Sequence, residues 1–203
     1  MEFSYADVRA ARDVVARHLP PTPMWSYPVL NAAAGATLFV KHENVQPVGA
    51  FKVRGGLTLL DGMPAAERER GTVTYSTGNH AQSLAYASRV YGAKCTVVMP
   101  AAANPAKVAA VEAWGASVVL TGAGLDDAEQ YAEQLAVTTG ARLVSPGDTP
   151  ELLARAAHTL AEGAGAAGLA AVLTHPGQFA GRRVAVICTG GNAGADELAG
   201  LAP

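Results

Sequence analysis

The stretch from about residue 71 to 147 constrains the fold more than any other part of the chain. Short apolar runs alternate there with alanine-rich helical segments, and glycines mark the helix ends. The pattern predicts strands at 72–75, 95–99, 117–120 and 142–144, separated by helices at 80–91, 105–114 and 125–138. Each connection is long enough for a right-handed crossover, so we expect a small parallel sheet covered on both faces. The fold class is therefore α/β.

The flanking segments are less regular. A first helix is predicted from Ser4, with Asp7 completing a capping-box-like pair. Its expected apolar face comprises Val8, Ala11, Val15 and Leu19. Strands are predicted at 37–41 and 184–188, and a helix from 149 to about 160.

An alanine- and glycine-rich run at 162–173 predicts a helix packed closely against its neighbours. This run also matches a dinucleotide-binding glycine pattern in form. We reject that interpretation, because no strand precedes the glycines and no acidic residue follows at the required distance.

Composition excludes several functional classes. The 203 residues are 50% hydrophobic and 6% aromatic with a net charge of −2, so the chain lacks the basic field that nucleic-acid binding requires. It has neither a membrane-spanning apolar run nor a signal peptide, and a cytoplasmic location is expected. Cys95 and Cys188 stand in apolar runs without metal or redox spacing, so both are predicted to be reduced core residues.

Lys52 is the first residue that suggests catalysis. It lies in a glycine-bracketed segment, 49–56, at an expected loop-to-helix junction. An amine becomes a nucleophile toward carbonyl groups when burial or a neighbouring cation keeps it unprotonated, and Phe51 and Arg54 are placed to supply those influences. Taken alone, the segment favours an ordinary solvated lysine, because most lysines are surface charges.

Two further loops follow predicted strands. The segment 76–81 joins a strand to a helix, where backbone N–H groups and the Ser76, Thr77 and Asn79 side chains could bind an anion; the alternative is an ordinary helix cap. His80, on the first helical turn, is interpreted as an orienting or packing group. The second loop, 189–192, places a hydroxyl and two glycines after a strand, which fits either a heteroaromatic ligand or a tight turn.

Together these loops resemble the threonine/serine dehydratases of the tryptophan synthase β-like, or fold type II, class of pyridoxal-phosphate enzymes. The matching segments occur in the family's order: Lys-His-Glu-Asn (41–44), Gly-Ala-Phe-Lys-Val-Arg-Gly (49–55), Ser-Thr-Gly-Asn-His-Ala (76–81), Glu-Gly-Ala-Gly-Ala (162–166) and Thr-Gly-Gly-Asn (189–192). Several ordered segments are far more specific than any one of them.

The resemblance implies a cofactor, pyridoxal 5'-phosphate, and a role for each matching residue. Lys52 would form the Schiff base with the cofactor and remove the substrate α-proton. Phe51 would stack near the ring, and Asn79 would bond its phenolic oxygen. Thr189, followed by Gly190, would face the pyridine nitrogen.

On the substrate side, the resemblance implies that Ser76, Thr77 and Gly78 hold the carboxylate, with His80 beside them. A hydroxyl at Thr189 cannot keep the pyridine nitrogen protonated as a carboxylate can, which makes the ring a weaker electron sink and favours β-elimination over transamination. The implied reaction converts L-threonine or L-serine to a 2-oxo acid and ammonia.

One difference from the family leaves two hypotheses open. Family members carry a long internal stretch, including a glycine run that binds the cofactor phosphate, and here the chain passes directly from the small domain to the 162–166 segment. The chain is thus expected to be either a compact dehydratase or a non-catalytic homologue that acts as an interaction module.

The expected organisation is an intact small α/β domain within a shortened large domain. Residues 1–70 would form the N-terminal part of the large domain, 71–147 the small domain and 148–203 the C-terminal part. A shortened sheet would expose an edge, so we expect a homo-oligomer. We expect no metal site. The expected partner is a small amino-acid substrate, and we expect neither nucleic-acid nor membrane binding.

Overall fold

The structure is a computed structural model that describes residues 5–146 and 167–191. Its elements follow one another in this order: α1 (Tyr5–Ala16), β1 (Met24–Ser26), α2 (Pro28–Ala34), β2 (Thr37–His42), α3 (Val53–Gly62), α4 (Ala65–Arg70), β3 (Thr72–Tyr75), α5 (Asn79–Val90), β4 (Cys95–Met99), α6 (Pro105–Glu112), β5 (Ser117–Leu120), α7 (Leu125–Thr139), β6 (Arg142–Leu143), α8 (Ala167–Thr174), α9 (Pro176–Phe179) and β7 (Arg183–Cys188). A short 3₁₀ turn, Glu43–Val45, follows β2.

The chain divides into two compact units. Unit 1 comprises Met1–Leu19 and Lys52–Ala157, and unit 2 comprises Pro20–Phe51 and His158–Pro203. The division groups α3 and α4 with the α/β segment that follows them. The domain boundaries derived from the sequence stay a prediction.

Unit 1 contains a four-stranded sheet in the order β5-β4-β3-β6, with all neighbouring strands parallel. Helix α7 covers one face, where Val73 and Val98 pack against Ala128 and Ala132. Alternate residues of β3 face α5 instead, since the Thr72 hydroxyl is 3.2 Å from that of Ser88. The predicted parallel sheet, covered on both faces, is confirmed.

The predicted elements of this unit agree closely with those observed. Strands β3, β4 and β5 have the predicted bounds, and α6 ends two residues earlier than predicted. In α1 the expectation for Val8 is wrong, because Val8 is 50% exposed while Ala11, Val15 and Leu19 are buried. The buried strip of α1 is the one that meets α3. The predicted cap at Ser4 lies outside the described residues.

Unit 2 contains a smaller sheet in the order β1-β2-β7. Strand β1 is antiparallel to β2, and β2 is parallel to β7 with Leu38 opposite Val184. Helix α8 packs on this sheet: a Cβ placed on Gly168 would lie 3.5 Å from the Cβ of Val186. Close packing is thus confirmed for the described part of the 162–173 run, and the predicted helix at 149–160 lies outside the described residues. In the described parts of both units, no helix has the length and apolar character needed to cross a membrane.

The two cysteines differ in burial. Cys95 is buried, as predicted, whereas Cys188 is half-buried and packs at the edge of the apolar cluster of unit 2. Cys188 borders an open apolar groove of about 590 Å³ in unit 2. Burial raises the pKa of both thiols, which keeps them protonated near neutral pH.

Candidate functional site

Lys52 stands immediately before α3, at the loop-to-helix junction that the sequence predicts. It is half-buried. Its backbone carbonyl accepts hydrogen bonds from the Gly56 N–H at 3.2 Å and from the Ser83 hydroxyl at 2.5 Å. The backbone that carries the amine is therefore attached both to its own helix and to α5.

The loop at 76–78 connects the end of β3 to the start of α5. Its shape is fixed locally, because the Ser76 hydroxyl oxygen accepts a hydrogen bond from the Gly78 N–H at 3.2 Å. The N-cap residue of α5 is Gly78, which has no side chain to cap the first turn. Backbone N–H groups at such a helix start attract an anion through their partial positive charge. The loop is thus suited to bind a carboxylate.

The same loop lines a cavity in unit 1. The cavity has a volume of about 510 Å³ and lies at the carboxyl ends of the strands, the usual ligand position in an open α/β sheet. Its lining residues are Tyr75, Ser76, Thr77, Gly78, Leu125, Ser145 and Pro146. Backbone N–H groups and hydroxyls therefore surround a space large enough for a small amino acid.

His80 is a structural anchor rather than an exposed base. It is 5% exposed, and its Nε2 lies 3.0 Å from the Thr74 hydroxyl and 3.3 Å from the Val144 carbonyl. The Thr74 hydroxyl donates to Val144 at 2.6 Å, so its oxygen accepts from His80, and Nε2 carries the proton. Burial, together with the positive charge of Lys52, lowers the pKa of His80 to about 4. The imidazole is neutral near neutral pH.

This lowered pKa predicts a pH dependence of stability. Between about pH 6.5 and pH 4 the unfolded chain binds a proton at His80 that the folded chain does not. The free energy of unfolding should therefore fall as the pH falls through this window, by at most about 1.4 kcal/mol per pH unit from this group. Urea unfolding of the wild type and His80→Gln across this range measures the effect. The variant should lose that part of the slope; equal slopes would contradict the assignment.

In unit 2 the structure brings two of the predicted loops together. The Phe51 N–H donates to the Thr189 carbonyl at 2.8 Å, and the Gly191 N–H donates to the Gly49 carbonyl at 2.9 Å. Ala50 and Gly190 form an antiparallel bridge between these bonds. Two segments that are far apart in the sequence thus form one short ladder.

Thr189 carries a hydrogen-bonding group without a protein partner. Its side chain is fully buried, and its hydroxyl makes no hydrogen bond within the described part of the chain. A buried polar atom without a partner is costly, so a ligand that bonds this hydroxyl would be favoured. A hydroxyl suits a heteroaromatic nitrogen, so Thr189 fits the pyridine ring of the implied cofactor.

The predicted site residues are divided between the units. Lys52, the carboxylate loop, Asn79 and His80 belong to unit 1, whereas Phe51, Thr189 and Gly190 belong to unit 2. Asn79 is half-buried at the first position of α5. Each unit by itself thus gathers one group of the predicted residues.

Sequence reasoning missed three polar residues near the unit 1 cavity. The Tyr75 hydroxyl donates to the Glu129 carboxylate and lies 3.0 Å from the Ser145 hydroxyl.

Ser83 was missed as well, although it follows Asn79 by four residues and so shares its face of the helix. That spacing is the one signal in the sequence that points to it.

The parallel α/β unit, with a polar cavity at its strand ends and a lysine at the start of a neighbouring helix, has the tryptophan synthase β-like fold of the solved enzymes that it matches. A family model described as "Pyridoxal-phosphate dependent enzyme" matches residues 15–152. The chain belongs to this family, whose cofactor is pyridoxal phosphate.

Individual relatives cover several activities. The chain is 40% identical to an L-threo-3-hydroxyaspartate ammonia-lyase from Pseudomonas sp and 35% identical to a serine racemase from Schizosaccharomyces pombe, in each case over 74% of this chain and 47% of the relative. The solved structure of the processed form of threonine deaminase isoform 2 from Solanum lycopersicum aligns with a TM-score of 0.67 at 30% identity, covering 73% of this chain and 40% of that one. The chain thus spans less than half the length of these relatives.

Proposed function

We propose that the site catalyses β-elimination of L-threonine or L-serine, giving a 2-oxo acid and ammonia. The observation that carries this proposal is the buried Thr189 hydroxyl, which has no hydrogen-bond partner in the described residues. Pyridoxal phosphate, when bound, supplies an electron-withdrawing ring that acidifies the α-proton of an amino acid. A neutral hydroxyl does not stabilise a positive charge on the ring nitrogen as a carboxylate does. This environment favours early loss of a β-hydroxyl over transamination.

Lys52 is the residue proposed to move the proton. Its amine, at the start of α3, would hold the cofactor, and it would accept the α-proton of the bound substrate. The hydrogen bonds to its backbone carbonyl hold the start of the side chain in place. Proton transfer needs this fixed geometry, because the accepting atom must stay within hydrogen-bond distance of the α-carbon proton.

The loop at 76–78 is proposed to bind the substrate carboxylate. Its support is the position of the loop at the start of α5, where the N-cap residue is Gly78, and the cavity that the loop lines. His80 takes no part as an acid in this scheme, because its pKa, lowered to about 4, leaves it neutral near neutral pH. Asn79 is proposed to orient the cofactor through its phenolic oxygen, with Phe51 and Gly190 beside the ring.

The experiment is a titration of the purified wild-type protein with pyridoxal phosphate, followed by L-threonine or L-serine. The expected result is a visible absorption band from lysine-bound cofactor and release of 2-oxo acid that depends on the cofactor. Chiral analysis of the remaining serine separates elimination from racemisation, which the serine racemase relative makes the alternative reaction. A folded protein that develops no band would overturn the proposal.

That negative outcome would favour the second hypothesis, a non-catalytic homologue that acts as an interaction module. The observation in its favour is that the chain spans 47% of the length of its ammonia-lyase relative. Self-association also stays a prediction. The exposed apolar side chains of unit 2 support it, including Trp25 at 55% and Val29 at 81% exposure.

A further inference from the structure

We propose that Ser83 is a positioning residue for Lys52. It would act by attaching the start of α3 to the helix that follows the carboxylate loop. The inference rests on the proposed function in one respect, namely that Lys52 is the reactive amine. The contacts that carry it lie entirely within unit 1.

The first observation is the hydrogen bond itself. The Lys52 carbonyl can only accept, so the Ser83 hydroxyl is the donor in their 2.5 Å contact. Ser83 is 2% exposed. The Lys52 carbonyl also accepts the Gly56 N–H at a longer distance, 3.2 Å, so the serine hydrogen bond is the shorter of these two. Removing the serine hydroxyl would remove this hydrogen bond between the start of α3 and α5.

The second observation is the close approach of the two helices at this point. A Cβ placed on Gly56 would lie 2.6 Å from the Ser83 hydroxyl oxygen and 2.7 Å from the Ser83 carbonyl oxygen. Only glycine permits backbones to come this near. The absence of a side chain at Gly56 therefore allows Ser83 to reach the Lys52 carbonyl.

The third observation is what else the same helix holds. Asn79 precedes Ser83 by four residues on α5, so both lie on one side of the helix. His80 fixes this end of α5 to Thr74 at the end of β3. Helix α5 is thus bonded to the sheet through His80 and to the start of α3 through Ser83. Displacing either attachment would change where the amine stands relative to the carboxylate loop.

A purely structural role for Ser83 is the alternative, and a matched control separates the two. Ser88 lies on the same helix, is equally buried at 1% exposure, and has its hydroxyl 3.2 Å from that of Thr72, away from the lysine. Ser88→Ala and Ser83→Ala each remove one buried hydroxyl from α5. A general loss of stability would affect both variants, whereas a positioning role would affect the reaction of Lys52 only in Ser83→Ala.

The experiment uses the cofactor-free protein and two readouts. Pyridoxal phosphate is added, borohydride fixes the lysine adduct, and mass spectrometry measures the labelled fraction of Lys52. Ser83→Ala should require about tenfold more pyridoxal phosphate for half labelling, the effect of losing one hydrogen bond, and Ser88→Ala should stay within about twofold of the wild type. Hydrogen exchange of the Gly56 amide should accelerate in Ser83→Ala alone.

The outcomes are distinguishable. Equal labelling and equal Gly56 exchange in Ser83→Ala and the wild type would overturn the inference. Equal changes in the two serine variants would overturn it too, because they would show a structural role. If wild-type Lys52 is not labelled at any cofactor concentration, the proposed function fails, and the Gly56 exchange rates still decide whether Ser83 holds the start of α3.

Discussion

Lys52→Ala is expected to abolish the visible absorption that develops on adding pyridoxal phosphate and to reduce 2-oxo acid formation from L-threonine by about 10³-fold or more. If the proposed function holds, the variant removes both the amine that would bind the cofactor covalently and the base that would accept the α-proton. The backbone contacts of residue 52 with Gly56 and Ser83 do not involve the side chain, so the fold should be retained. Absorption spectra and a coupled 2-oxo acid assay measure the two effects.

The matched control is Lys107→Ala, which removes an exposed lysine of unit 1 on α6. It should leave both the absorption band and the rate unchanged. Retention of the band in Lys52→Ala would mean that another lysine binds the cofactor. Loss of the band in both variants would point to unfolding, which circular dichroism checks directly.

Gly56→Ala is expected to lower the free energy of unfolding by about 1–3 kcal/mol. Alanine inside a helix is ordinarily more favourable than glycine by about 0.5–1 kcal/mol. A loss of stability would therefore show that the close contact at position 56 outweighs this preference. The added methyl group would meet the Ser83 carbonyl oxygen at 2.7 Å. Backbone atoms of α5 cannot turn aside as a side chain can, so the two helices must separate.

Urea denaturation followed by circular dichroism gives the free energy of unfolding. The control is Gly177→Ala, because a Cβ at Gly177 meets no atom within 4 Å. This control should change stability by no more than about 0.5 kcal/mol. A stabilised Gly56→Ala variant would show that α3 and α5 lie farther apart than the structure places them, and would also weaken the argument for Ser83.

The sequence predicts the parallel sheet of unit 1 well because its signals are local. Each strand there is an apolar run bounded by turns, and each helix is long enough to show its own pattern. Strand β1 has three residues and helix α9 has four, so neither displays a period that could be recognised. The start of helix α3 has Lys52 at its N-cap rather than a serine, threonine or aspartate, so the sequence indicates this junction only through the glycines that bracket it.

The sequence predicts the candidate site less fully than the sheet. Resemblance to a family indicates which residues matter, but hydrogen-bond partners depend on tertiary packing. The neutral state of His80 follows from burial against Thr74 and Val144, and the sequence around it does not contain that information. The contact between Ser83 and Lys52 joins residues on different helices and depends on the glycine at position 56. Sequence spacing indicates at most that Ser83 lies on the side of α5 that carries Asn79.

The short ladder between Gly49–Phe51 and Thr189–Gly191 has a consequence for how the protein folds. Its two segments, at positions 49–51 and 189–191, are far apart in the sequence, so a long loop must close before the ladder can form, and loop closure costs entropy. The sheet of unit 1 needs only neighbouring segments and can form earlier during synthesis. The buried Thr189 hydroxyl is thus expected to reach its place late, after the strand that precedes it has left the ribosome.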